Sequence, residues 1–432
     1  MAYDSPMADT WREHIKKTAA WTIRALLVAL VTAPAITLLA AMIAFASRIR
    51  HTHPWIILLI PFGAVATTYL FSVLGPHLQQ GSLRIMSLIS KSEAEMDGSG
   101  AVSFTTDVAS QERPISTRLA PLLLVTTFIT HLVGASGGKE GVGVQVGSSL
   151  ASYIGEAESR LRHRTFPLHH QGVYLISGAA AGFAALFNAP VAGVLFGLQF
   201  SNPRVNRIDA FFPALVAAYS ATMLSQAMHI PIIETVAPET LPFTAHTLLI
   251  LLLVAILFGL LSRLFCTLIY QVRHLTARLT DNVYLRTLFT STLLLGASLA
   301  IYLAVGSFEF NGLSTHLIKE AGLGSAHPLA PLFKFVLTIL TIASGFIGGE
   351  VVPVLVIGST SGALLASLLG SPAATLSMMG AMGMLSGATK LPLACFALGL
   401  ELYGFSNPSL LFFVCAVSYF ISGPASIYRP HQ

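Results

Sequence analysis

Gly137-Gly138-Lys139-Glu140-Gly141-Val142-Gly143-Val144-Gln145-Val146-Gly147 is matched farther along the chain by Gly348-Gly349-Glu350-Val351-Val352-Pro353-Val354-Leu355-Val356-Ile357-Gly358. Each stretch runs over the same length from a glycine pair to a glycine, around an acidic residue. Downstream, Ala189-Pro190-Val191-Ala192 leads through an apolar stretch to Ser201-Asn202-Pro203, and Leu391-Pro392-Leu393-Ala394 leads through another to Ser406-Asn407-Pro408. Order and spacing are kept at an offset near half the chain. Glycine pairs are common in so apolar a chain, and one match would carry little; two in register imply an internal duplication. Transporters built on such repeats place their binding site at the repeat interface near the bilayer midplane. Glu140 and Glu350 are expected to meet there.

The surroundings of these stretches are those of a membrane protein. Of 432 residues, 54% are hydrophobic and 10% charged, against roughly 25% charged in a soluble domain. Uncharged runs recur at Ala25 to Ser47, Trp55 to Leu74, Leu119 to Gly138, Phe211 to His229 and Thr287 to Phe308, each near the roughly 20 residues a helix needs to cross hydrocarbon. The chain therefore reads as an all-α polytopic membrane protein. The first run is too long for a cleaved signal peptide and lies behind Arg12, Lys16, Lys17 and Arg24, so it is expected to remain as the first membrane helix after a cytoplasmic segment 1–24. Arg48, Arg50 and the Arg160, Arg162, Arg164 cluster leave the overall charge count equivocal on orientation. Net charge is +5, with no basic stripe suited to nucleic acid. Cys266, Cys395 and Cys415 stand alone in apolar surroundings and read as buried small hydrophobes, without disulfide or metal spacing. No cofactor is expected. Lys91 to Ser116 reads as the one substantial hydrophilic loop.

Gly182, Pro190, Gly193 and Gly197 interrupt Val173 to Phe200, and Pro353, Gly358, Gly362 and Gly370 interrupt Val351 to Thr389. Such breaks are tolerated at membrane depth where the freed backbone groups meet protein, water or a ligand, as in transporters whose half-helices point at the solute. Kinked helices packed through small residues are the plainer alternative. An ionised carboxylate at the centre of a membrane helix costs about 2.5 to 3.5 kcal/mol on insertion scales, so Glu140 and Glu350 need a reason to be there. Proton coupling to an anion is one: a carboxylate and an anion compete for the same positive potential, here backbone N–H groups at helix starts. Capping a helix, or pairing with Lys139, is the other. Glu401, with Lys390 nearby in sequence, reads as structural.

Taken together, these residues resemble the CLC family of chloride channels and anion/proton antiporters. Gly138-Lys139-Glu140-Gly141 resembles the family's Gly-Lys/Arg-Glu-Gly motif, with Glu140 in the place of the gating glutamate. Phe187-Asn188-Ala189-Pro190-Val191-Ala192-Gly193 and Lys390-Leu391-Pro392-Leu393 with Glu401 resemble later helices of the two halves, and Tyr428 falls where the family's ion-coordinating tyrosine would. The likeness runs from about Gly75 to Tyr428. Three departures narrow it. The first anion-binding motif, Gly-Ser-Gly-Ile-Pro, should fall near Gln80-Gly81-Ser82-Leu83, where its proline is missing; Gly349-Glu350-Val351-Val352-Pro353 lacks the phenylalanine of chloride transporters; and Gln199-Phe200 stands where exchangers carry an inner glutamate. The combination is similar to the fluoride-exporting branch, in which a glutamate at the position of Glu350 is implicated in fluoride and proton handling.

The resemblance implies two inverted-topology repeats with broken helices, about 55–229 and 246–428, within a transmembrane domain 25–428, then a tail 429–432 and no CBS domains. It implies a fluoride/proton antiporter rather than an enzyme. Glu140 and Glu350 would carry gating and proton coupling, and Gly138, Gly141, Val142, Gly349, Val351, Val352, Tyr428, Gly81 and Ser82 would surround the anion. The expected partners are a halide (fluoride or chloride), protons, the lipid bilayer and a second copy in a homodimer, and the expected place is the cell membrane with both termini cytoplasmic. A chloride-selective channel or chloride/proton exchanger of the same fold is the nearest alternative. A remote one is an intramembrane serine protease, from Gly134-Ala135-Ser136-Gly137, whose serine would need a histidine base.

Overall fold

The computed structural model describes residues 6–74, 81–97, 115–116, 118–163, 168–200 and 208–428. Gln80, Gly75, Arg164, Ser201-Asn202-Pro203 and the tail 429–432 lie outside the described residues. The described chain is helical: α1 (Pro6–Thr52), a 3-10 turn (Pro54–Leu59), α2 (Ile60–Leu74), α3 (Gly81–Asp97), α4 (Leu119–Leu132), α5 (Glu140–Leu161), α6 (Leu168–Phe187), α7 (Pro190–Gln199) and α8 (Ile208–Ala227). Then come α9 (Ala245–Leu279), α10 (Val283–Val305), α11 (His316–Gly322), α12 (Ala330–Ala343), α13 (Val351–Leu369), α14 (Ala373–Thr389), α15 (Pro392–Tyr403) and α16 (Pro408–Ile421).

Five helical segments are long and apolar enough to cross a membrane: Ile15–Thr52, Pro54–Leu74, Ala245–Arg278, Val283–Val305 and Val351–Leu369. Leu119–Leu132, Pro190–Gln199, Ala330–Ala343, Pro392–Tyr403 and Pro408–Ile421 are apolar but shorter, as broken helices are. The 24/25 boundary falls inside α1, because Trp21 to Ala29 supplies uninterrupted helix formers and nothing that ends a turn. α1 keeps Ala25, Val28, Ala29, Ala33, Ile36, Leu39 and Ala40 buried while Leu26, Leu27, Leu30 and Leu38 are exposed. The buried face is thus mostly small residues and the exposed face mostly leucine, the pattern of helix packing without a hydrophobic drive. Of the hydrophilic loop expected from Lys91 to Ser116, Lys91 to Asp97 is helical instead, since α3 continues through Ser-Glu-Ala-Glu-Met, residues of mostly good helix propensity; 98–114 and 117 lie outside the described residues. α9 adds a span beyond the runs named above; its first 18 residues, Ala245 to Ser262, carry no Asp, Glu, Lys or Arg.

The two halves share an element order. α4, α5, α6, α7 and α8 correspond in sequence to α12, α13, α14, α15 and α16, and α4 and α12 have equal lengths of 14 residues. In each half one helix is almost wholly buried: α6 from Gly172 onward and α14 from Ala374 onward. Both are rich in Ala and Gly, and each packs on the helix that carries the motif. A Cβ on Gly147 of α5 would lie 2.2 Å from the carbonyl oxygen of Gly178 on α6, and one on Gly358 of α13 would lie 2.4 Å from that of Gly380 on α14. The halves meet at an antiparallel bridge between Gly138 and Gly349.

Candidate functional site

The helices leading into the site end in the same way. α4 stops at Leu132 and Gly134 takes φ +86°; α12 stops at Ala343 and Gly345 takes φ +73°. The left-handed conformation, which glycine adopts without a Cβ penalty, turns the backbone out of the helix and toward the other repeat. Four residues on, Gly138 N–H donates to Gly349 O at 2.6 Å and Gly349 N–H to Gly138 O at 2.8 Å. A Cβ on Gly138 would come within 2.6 Å of both Gly349 O and Glu140 Oε2, so glycine is required at the crossing. Thr130 Oγ donates to Ile347 O at 2.8 Å and adds a second link between the halves.

Just past this crossing α5 begins at Glu140 and α13 at Val351, with their first turns side by side. Glu140 is fully buried. Its Oε2 accepts the backbone N–H of Lys139 at 3.0 Å and, across the repeat interface, that of Val352 at 3.3 Å, while Oε1 has no hydrogen-bond partner among the described residues. Glu350 occupies the N-cap position of α13 without a side-chain cap hydrogen bond, and its Oε2 approaches the space beside Gly141, 3.9 Å from where a Cβ there would be. The two acids are therefore neighbours. Val142, Val351 and Val352 line the junction, all buried.

Tyr428 closes the other side. Ile427 N–H donates to Ala388 O at 2.9 Å, which holds the end of the described chain against α14. The ring of Tyr428 packs edge-on against Phe200 and Phe196, with centroids 5.2 and 6.2 Å away. Its hydroxyl is buried and lacks a hydrogen-bond partner among the described residues, and it lies within electrostatic reach of Glu350 and Glu140. Buried polar groups are normally satisfied, so an orphan donor beside two acids points to a ligand. A small cavity of about 10 Å³ lies among Phe183, Phe196, Val351 and Leu391, joined to Tyr428 only through the Phe196 ring, and has about the space of one water-sized body.

Other expected residues fall elsewhere. Gly81 begins α3, and Ser82 Oγ accepts from Gln145 Nε2 on α5 at 2.7 Å; neither touches a carboxylate of the site among the described residues. Glu401 is structural, but not through Lys390: its oxygens accept the N–H groups of Val191 (3.0 Å) and Ala192 (2.8 Å), capping α7 from the opposite repeat. Lys390 turns instead to Ser422 Oγ and Tyr419 O. Ser136 Oγ meets Thr338 Oγ at 3.0 Å rather than a histidine, which removes the protease geometry. Cys266, Cys395 and Cys415 are buried and unpaired. Two features went unread in the sequence. The aromatic pairs Phe183–Phe187 and Phe196–Phe200, each spaced by four, meet through Phe183 and Phe196, and His131, Arg50 and Lys334, all buried, surround the loop before Glu140.

With this geometry in hand, likeness to known proteins is informative. Residues 81–423 match the family described as voltage gated chloride channel. The chloride/fluoride channel protein of Pseudomonas syringae pv. tomato is 32% identical over 424 residues, 96% of this chain and 86% of that protein. The H(+)/Cl(-) exchange transporter ClcA of Salmonella arizonae is 26% identical over 333 residues, 73% of this chain and 68% of its own length. A solved CLC-type fluoride/proton antiporter superposes with a TM-score of 0.83 at 30% identity, covering 95% of this chain and 97% of that one. A slow cyanobacterial Cl-/H+ antiporter shares the fold, with a TM-score of 0.73 at 20% identity over 95% of this chain and 96% of its own. Sequence family, overall superposition and the glycine-built meeting of two half-helices agree: this chain belongs to the CLC family of voltage gated chloride channels.

Proposed function

We propose that this chain is a fluoride/proton antiporter that exports fluoride, working as a homodimer in the cell membrane with both termini in the cytoplasm. The observation that carries the reading is the position of Glu140 Oε2, which takes backbone N–H groups from both repeats, the donors an anion at the same place would need. Carboxylate and anion thus exclude one another. A protonated Glu140 loses its charge, releases the amides to the anion and carries its proton away as it swings. Glu350, whose carboxyl group is not committed to capping α13, supplies a short O–H hydrogen bond when protonated, which favours fluoride, the stronger acceptor among halides. When ionised it repels the anion. Tyr428 donates its hydroxyl from the opposite side.

Fluoride is supported by the relative from Pseudomonas syringae pv. tomato, a chloride/fluoride channel protein, and by the superposing CLC-type fluoride/proton antiporter. One feature favours an uncoupled channel instead: the last residue of α7 is Gln199, whose buried Oε1 lacks a partner among the described residues, rather than an acid that could pass a proton. Proteoliposomes loaded with fluoride or chloride and followed by ion-selective and pH electrodes separate the readings. Antiport predicts fluoride efflux accompanied by proton uptake, and Glu140→Gln abolishes the coupled proton movement. Equal fluoride and chloride rates would remove the selectivity, and anion flux without protons in the unmutated protein would make it a channel.

A further inference from the structure

Beyond the Glu140–Glu350 junction, where α1 ends, a cavity of about 230 Å³ is lined by the last turns of α1, the segment after α8, the loop after α10 and Lys139. Its ionisable lining consists of Arg50, His51, Lys139 and His316 against one carboxylate, Glu309. Lys334 stands behind it, fully buried. Arg50 donates to the carbonyl oxygens of His131 (2.8 Å) and Asn311 (3.4 Å). Lys334 Nζ donates to Gly312 O (2.5 Å), Phe310 O (3.3 Å) and Ser314 Oγ (3.1 Å). No ion pair reaches Arg50, Lys139 or Lys334 among the described residues. All three cations are 8% exposed or less; Arg50 and Lys334 are satisfied as hydrogen-bond donors by neutral oxygens, and none of the three is held in an ion pair among the described residues.

Such an arrangement is costly unless an opposite charge arrives, and buried charges are normally paired. The carbonyl partners fix Arg50 and Lys334 in place, so their field does not collapse onto a neighbouring carboxylate. The member not fixed by a side-chain hydrogen bond among the described residues is Lys139, which belongs to the cavity wall and immediately precedes Glu140. We propose that this cavity is a separate anion site, a vestibule station that holds one small inorganic monovalent anion with part of its water shell, outside the carboxylate junction.

Size sets the hydration state. The cavity among Phe183, Phe196 and Val351 is about 10 Å³, enough for one stripped ion, whereas about 230 Å³ leaves room for an ion and several waters, each with a share of liquid volume of about 30 Å³. Selection at the vestibule is by charge and is indifferent to halide identity, because long-range attraction from fixed cations does not require dehydration. Halide discrimination stays at the junction. The station raises the local anion concentration next to Glu140, so that the anion and the carboxylate trade places over a short distance. The binding claim stands apart from proton coupling; its use in transport rests on the antiport reading.

The test uses crystals of the full chain soaked in bromide, located by anomalous scattering, together with anion exchange in proteoliposomes. The unmutated protein is expected to show bromide in the cavity between Lys139 and Arg50, and Lys139→Gln to lose it with the surrounding backbone unchanged. In flux, Lys139→Gln is expected to raise the half-saturating anion concentration on the vestibule side by about tenfold, a deficit that shrinks as inert salt screens the cations. If Arg50→Gln misfolds, Arg50→Lys keeps the charge and retains the bromide. An empty cavity in the unmutated protein, or bromide that persists in Lys139→Gln, overturns the proposal. So does a Lys139→Gln variant that uncouples protons as Glu140→Gln does while its half-saturation is unchanged, which would make Lys139 part of the gate and leave antiport standing. Bromide bound in an unmutated protein that moves anions without protons would keep the vestibule and remove antiport.

Discussion

At Glu140 a single carboxylate oxygen takes one N–H from its own loop and one from the first turn of α13, so the state of one proton decides whether the two half-helix starts hold a side chain or a mobile ion. Glu350 has no such commitments in its cap position, and its contribution is argued through the ion. Replacing it by alanine removes one charge-assisted hydrogen bond, worth about 1.5 to 3 kcal/mol, so Glu350→Ala should lower the fluoride over chloride preference by about 10- to 100-fold in paired halide flux assays. An unchanged halide ranking would return Glu350 to a purely structural role. Tyr428 allows a cleaner separation of function from folding. Its ring is packed on Phe196 and Phe200 while its hydroxyl is unpartnered. Tyr428→Phe should therefore leave the thermal unfolding midpoint unchanged or raised, since no internal hydrogen bond is lost, and should slow fluoride flux. A marked drop in stability would show that the hydroxyl is bonded within the protein and has no ion to serve.

Between elements, the motif helices are pressed against their buried partners by glycine. Gly143 and Gly147 face Gly182 and Gly178 across α5 and α6, and Gly358 and Gly362 face Gly380 and Leu376 across α13 and α14. An added methyl at Gly147 or Gly358 has only backbone to push against, so Gly147→Ala and Gly358→Ala should each cost at least about 1 to 3 kcal/mol, read as a lower unfolding midpoint or loss of monodisperse protein. Gly296 in α10 has nothing within 4 Å of the same hypothetical atom, and Gly296→Ala should be neutral or stabilising by up to about 1 kcal/mol. If all three variants behaved alike, close backbone approach would not explain these glycines. The same contacts show why part of the fold was legible. Repeated spacing of Gly, Glu and Pro is preserved by duplication, and it pointed to both acids and to the helix breaks. Glu401 and Lys390 lie close in sequence, yet the partners of Glu401 are amides contributed by the other half. Spacing along one strand of chain cannot express a contact between repeats unless its counterpart repeats too. Arg50 and Lys334 were illegible for the same reason: Arg50 reads beside Arg48 and His51 as part of a basic helix end, Lys334 is an isolated cation in an apolar run, and the two converge on the carbonyls of Phe310, Asn311 and Gly312 only after α1 and α12 have packed.

On the scale of the whole molecule, α1 is fastened at both ends, and the two fastenings differ in kind. Near one end Arg50 binds carbonyl oxygens beside the vestibule. Toward the other, Arg24 makes a two-pronged pair with Glu158 at the end of α5, both contacts at 2.8 Å. Glu158 also accepts from Tyr174 of α6 at 2.5 Å and pairs with Arg162 at 2.8 Å. The Trp21 ring covers the Arg24 guanidinium at 4.8 Å, which supports the cation on its remaining face. Arg24 and Glu158 side chains are only 14% and 15% exposed, so this is not a freely solvated surface pair. Glu158→Gln keeps the shape and removes the charge, and should destabilise the fold by about 1.5 to 3 kcal/mol, seen as a lower unfolding midpoint in detergent or nanodiscs. Along α5, Glu158 lies 18 residues from Glu140, about 27 Å at the helical rise of 1.5 Å per residue, well beyond the roughly 7 to 10 Å within which side chains usually couple. The fluoride over chloride ratio and the number of protons moved per anion should therefore be unchanged in Glu158→Gln. A shifted coupling ratio in a variant that remains folded would mean that α5 moves as a rigid lever during exchange, and that transport involves more of the protein than the swing of Glu140.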